Sequence, residues 1–93
     1  MTTRALAHLE GDHVAVATDD LKKGKEVEIA FLDTGNKKNL MVNEDIPFGH
    51  KIALKDIRKG DKIIEYGEVI GAATKDIKIG EHVHVHNIRS LRW

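Results

Sequence analysis

No cysteine occurs among the 93 residues, which removes disulfides, thiolate nucleophiles and thiolate metal ligands together. Any metal chemistry must therefore use histidine, carboxylate or amide donors. No charge of one sign prevails either. Fifteen lysines and arginines balance fifteen aspartates and glutamates, so no overall field favours nucleic acid, an anionic membrane or an acidic partner. The opening MTTRALAHLEGDHVAVAT carries no apolar run of signal-peptide length, and nothing further along approaches the ~20 residues of a membrane span. These absences point to a cytoplasmic protein that binds neither nucleic acid nor membrane.

What is present suits one compact domain over residues 1–93, a length that buries roughly two-thirds of the unfolded surface. Apolar residues come in short alternating or continuous runs, not at helical spacing. That pattern predicts strands over 14–17, 26–32, 51–54, 62–66, 68–73 and 82–88, punctuated by glycines. Little room is left for helix, so the fold class is all-β with few or no helices. The polar stretch DTGNKKNLMVNED at 33–45 reads as a mobile loop or an irregular hairpin, and the single Pro47 follows it.

Three stretches share one pattern: DLKKGKEV at 20–27, DIRKGDKI at 56–63 and DIKIGEHV at 76–83. An Asp can accept the backbone N–H groups of its own tight turn, the aliphatic residue can pin that turn to the core, and Gly supplies a positive φ before a strand begins. These are corners of a coiled β fold. Their spacing, 36 residues and then 20 from Asp20 to Asp56 to Asp76, is too uneven for a solenoid.

The stretch GEHVHVHNIRS at 80–90 places His82, His84 and His86 on alternate positions. In a strand, such residues project from one face at a rise of about 3.3 Å per residue. Val83, Val85 and Ile88 would then pack behind them. His50 sits in PFGHK, where Pro and Gly can aim one side chain at a site. Lys51 beside it is either a carboxylate binder or a solvated lysine. Asn87 is either a strand-end hydrogen-bonding residue or a substrate ligand. His8 and His13 lie in the N-terminal strand region and read as structural or exposed.

The turns just quoted, together with IPFGHK at 46–51, YGEVIG at 66–71, GEHVHVHN at 80–87 and DHVAVATDDLKKG at 12–24, resemble the SAF domain of the altronate/galactarate dehydratase family. The resemblance covers almost the whole chain and implies a β-clip fold. Two departures stand out: His13 occupies a position where Asn is expected, and the much larger segment that follows this domain in single-chain members is missing. Some members are split into a small SAF subunit and a large subunit, and this chain is similar to such a small subunit. One branch resembles altronate dehydratase, a hydro-lyase; another resembles the alpha subunit of sulfolactate sulfo-lyase, a carbon–sulfur lyase.

Both are β-eliminations from a hydroxy acid. The enolate formed next to a carboxylate is unstable, so the resemblance implies a divalent metal, Fe2+, Mn2+ or Mg2+, chelating the substrate and shared with or held by a large catalytic subunit. His84 and His86, with His82 as a weaker third, are the candidate metal ligands, since imidazoles on one strand face can tilt toward an ion at about 2.0–2.1 Å. His84, His86 and His50 are the candidate catalytic residues, because imidazole titrates near neutrality and serves as acid, base or carboxylate partner. Lys51 and Asn87 are the candidate substrate contacts. A non-catalytic carbohydrate- or metal-binding module is the reading from another functional class, and self-association stays open.

Overall fold

The turn pattern occurs four times, because DIPFG at 45–49 repeats it alongside residues 20–24, 56–60 and 76–80. The computed structural model, which describes residues 2–90, joins the turns in two pairs. Leu21 bridges to Ile46 and Ile57 to Ile77, each bridge closed by two reciprocal backbone hydrogen bonds of 2.7 or 2.8 Å. All four aliphatic residues are buried.

The four carboxylates cross over. Asp20 accepts the Phe48 N–H and Asp45 the Lys23 N–H, both at 2.9 Å; Asp56 accepts the Ile79 N–H at 2.9 Å and Asp76 the Lys59 N–H at 2.8 Å. This corrects the expectation that each Asp serves its own turn. The bridges hold paired turns side by side, so each carboxylate meets its partner's open N–H. Gly24, Gly49, Gly60 and Gly80 close the turns with φ of 84–90°, a region where a Cβ is strained.

Nine strands follow among the described residues, with no helix: β1 (Thr3–Ala7), β2 (Val14–Ala17), β3 (Glu26–Phe31), β4 (Lys37–Met41), β5 (Lys51–Ala53), β6 (Lys62–Glu65), β7 (Glu68–Ala73), β8 (His82–Val83) and β9 (Ile88–Ser90). The first sheet runs β4-β3-β1-β2-β5-β8 and the second β6-β7-β9. Pairings are antiparallel except β1 with β3. The all-β expectation holds. The stretch 33–45 is a hairpin whose return strand, β4, pairs with β3. Met1 and residues 91–93 of the expected 1–93 domain lie outside the described residues.

Alternation along β2, β5 and β8 divides the core in two. One face buries Ala15, Ala17, Ile29 and Ile52 with Leu21 and Ile46. The other buries Val14, Ala53 and Val83 against Ile63 and Ala73 of the second sheet, with Ile57 and Ile77 beneath. The chain passes between the sheets at residues 84–87, so the strand expected over 82–88 is in fact two strands and a turn. Asn87 is the cause: its Oδ1 accepts the His84 N–H at 2.9 Å, and its Nδ2 donates to the His82 carbonyl at 2.7 Å. A side chain that offers local hydrogen bonds can displace a ladder. Val85 is consequently 80% exposed and packs behind nothing, whereas Val83 is buried and Ile88 packs on the second cluster.

His8 and His13 each have a local partner within the fold. His8 stacks on Tyr66 with ring centroids 4.3 Å apart. His13 Nδ1 accepts the Ile64 N–H at 3.1 Å, and burial, aided by the charge of Lys55, holds its pKa below the ordinary imidazole value. Below about pH 6.5 the unfolded chain therefore binds a proton that the folded chain resists, and stability falls as the pH drops from there toward the depressed folded value. Asn at this position keeps an acceptor without a titrating ring. His13→Asn is expected to melt like the parent at about pH 7.5 and to lose less melting temperature than the parent at about pH 5.5. Equal acid losses in both proteins would remove His13 from the account.

Candidate functional site

Two of the four turns launch the strands that build the site. β5 leaves the turn at 45–49, β8 leaves the turn at 76–80, and the two pair antiparallel with Lys51 opposite Val83 and Ile52 opposite His82. One step beyond that ladder, the same register sets His50 beside His84. Their rings stack at a centroid distance of 4.0 Å and an interplanar angle of 26°. His50 Nδ1 and His82 Nε2 are hydrogen-bonded at 2.8 Å. The turn at 84–87 folds His86 back, so its ring lies 4.9 Å from that of His82.

Four imidazoles thus gather, with a smaller group inside the gathering. His50, His82 and His84 each offer one nitrogen, and these atoms lie within 4.8 Å of one another; the group does not include His86, which is exposed. Neutral nitrogen donors so close together fit a divalent transition ion.

Burial and neighbouring charge favour the neutral form of two of the rings. Burial is the main cause that lowers the His82 pKa, and positive charge on His86, His50 or His84 lowers it further, opposed by Glu44. Burial likewise lowers His84, followed by the charges of His50, Lys51 and His86. A neutral imidazole has a lone pair free to take a proton, accept a hydrogen bond or bind a metal. Glu44 also accepts the His82 backbone N–H at 3.0 Å, which ties the loop after β4 to β8.

The other anticipated residues fall in different places. Lys51 borders the cluster, with Nζ 3.9 Å from Glu65 Oε1. Asn87 is buried at 3% exposure, and its side chain serves the turn that carries His84. Glu44 was not anticipated, and no spacing in the sequence singles it out. The approach of His50 to His84 did have a signal: DIPFGHKI and DIKIGEHV are copies of one turn-and-strand unit, and pairing their strands brings the two residues together. Exposed Phe48 and Val85 lie two residues before His50 and one after His84.

The sequence matches the family described as the altronate/galactarate dehydratase SAF domain over residues 3–91. The chain belongs to that family. It is 42% identical over 79 residues to altronate dehydratase of Bacillus subtilis (strain 168), which covers 85% of this chain and 15% of that protein. It is 32% identical to the (2R)-sulfolactate sulfo-lyase subunit alpha of Chromohalobacter salexigens over 100% of both chains. The corresponding subunit of Paracoccus pantotrophus is 48% identical over 54 residues, 58% of this chain and 81% of that one. SAF-domain relatives thus include long dehydratases, of which this chain spans a small part, and short lyase subunits of its own size. No helix among the described residues is long and apolar enough to cross a membrane.

Proposed function

We propose that this SAF domain is the small subunit of a carbon–oxygen lyase of the altronate/galactarate dehydratase type, acting with a large subunit on 2,3-hydroxy carboxylates. The observation that carries the reading is the convergence of His50, His82 and His84 beside Lys51. β-Elimination needs a base for the proton next to the carboxylate, an acid for the leaving group and positive charge for the developing enolate. In this reading His84 and His50 would take the proton, exposed His86 would return one to the leaving group, and Lys51 would contact the carboxylate. A bound divalent ion would add Lewis acidity at the substrate carboxylate and hydroxyl, and histidines of this cluster would hold it. Exposed Phe48 and Val85, close in sequence to His50 and His84, would offer the large subunit apolar anchors.

A second reading, the alpha subunit of a sulfolactate sulfo-lyase, is favoured by the end-to-end match with such a subunit. The two differ only in the leaving group, water or sulfite. Both place the reaction in the cytoplasm. Purified alone, the chain is expected to show no turnover of altronate, galactarate or sulfolactate; adding a large subunit from the same organism should produce it on one of them. Turnover by the isolated chain would contradict the division of labour.

A further inference from the structure

We infer that His50, His82 and His84 form a complete three-nitrogen site within this chain for a borderline divalent ion such as Zn2+, Fe2+ or Co2+, with His86 outside it. The inference deepens the lyase reading but rests on it only for what the ion would do; binding itself is a property of this chain alone.

Convergence is the first support. His82 lies in β8, His50 immediately precedes β5 and His84 immediately follows β8; the two strands pair directly, and Ile52 and Val83 within them are both at 0% exposure. The turn that holds His84 is fixed by buried Asn87. The site is therefore built before any ion arrives, which spares the ordering cost of gathering loose side chains.

The short contact between His50 Nδ1 and His82 Nε2, at 2.8 Å, is the second. Between neutral rings one nitrogen donates and the other accepts, so both point into the same small space. Moving the donor's proton to its other ring nitrogen leaves both lone pairs facing that space, with no change in net charge. Two nitrogens on one tetrahedral ion at 2.0–2.1 Å stand about 3.3 Å apart. Opening the present contact by about half an ångström admits the ion.

Donor chemistry sets the class of ion. The group contains no carboxylate, and the nearby Glu44 Oε1 already accepts the His82 N–H. Imidazole nitrogen suits zinc, iron, nickel and copper, whereas Mg2+ and Ca2+ demand oxygen ligands. Of the ions named from the resemblance, Fe2+ fits this set and Mg2+ does not. Three protein ligands leave a fourth position open, the pattern of catalytic and not of structural sites.

Calorimetric titration of the full chain with ZnCl2 and MgCl2, and visible spectroscopy with CoCl2, test this without any turnover assay. One Zn2+ or Co2+ per chain is expected, with no Mg2+ binding. His50→Gln and His84→Gln should each weaken zinc binding by at least about tenfold, while His86→Gln leaves it unchanged. Equal losses from His86→Gln and His84→Gln, equal affinity for Mg2+, or no zinc binding would each overturn the inference. Should His82→Gln fail to fold, the other two ligand variants still decide the matter. Absent turnover with a large subunit would count against the lyase reading and leave the metal result standing.

Discussion

Gly80→Ala is expected to be the most destabilising single methyl that can be added to this protein at a turn. Gly80 has φ +85°, and a Cβ there would overlap the Met41 carbonyl oxygen and lie 3.2 Å from Asn43 Nδ2. Its own carbonyl accepts the Asn43 N–H at 2.9 Å, and its N–H donates to the Ala53 carbonyl at 2.8 Å. Gly80 therefore cannot move away from the Met41 carbonyl without straining one of these two hydrogen bonds. Gly60 is the control, because its φ is +90° with nothing within 4 Å of an added Cβ. Gly60→Ala should cost only the left-handed penalty of about 1–2 kcal/mol, a fall of roughly 5–15 °C in melting temperature for a domain of this size. Gly80→Ala adds a backbone overlap and should lower melting by more than about 15 °C or prevent folding. Thermal melts of the two variants settle it: a difference of only a few degrees would contradict the packing described around Gly80.

The same glycine shows how far local sequence reaches. DIKIG announces a turn with a positive-φ glycine, and that much was legible, as were β2 and β7 to the residue. The Asp of each turn was legible as a hydrogen-bond acceptor but not its target, because the donor belongs to a turn 17–28 residues away. Strand β4 escaped because its KKNLM sequence buries only Leu40; an edge strand with one buried residue has almost no hydrophobic period to detect.

The histidine stretch was misread in shape and partly read in content. Alternation of His and Val over 82–86 is the pattern of an amphipathic strand, yet Asn87 three residues after His84 is turn chemistry, and the turn prevails because it carries the chain from one sheet to the other. His82, His84 and His86 still cluster, through the fold-back of that turn. His50 enters through the pairing of β5 with β8, a tertiary fact visible in advance only by recognising DIPFGHKI as the fourth copy of the turn unit.

The largest functional effect is expected at His84. Its ring stacks on His50 and contributes a nitrogen to the three-histidine group, while its hold on the fold is through its backbone N–H to Asn87, which a glutamine retains. His84→Gln should therefore melt close to the parent and cut the kcat/KM of the enzyme reconstituted with its large subunit by at least about tenfold. His50→Gln should act the same way. His8, stacked on Tyr66, marks the contrast: His8→Gln should leave turnover unchanged. The most direct measurement is kcat/KM of the reconstituted enzyme carrying His84→Gln, with a thermal melt on the same sample. A loss of about tenfold or more at unchanged melting temperature places the chemistry at the histidine cluster; full activity would make the cluster a polar surface and move the reaction entirely onto the large subunit.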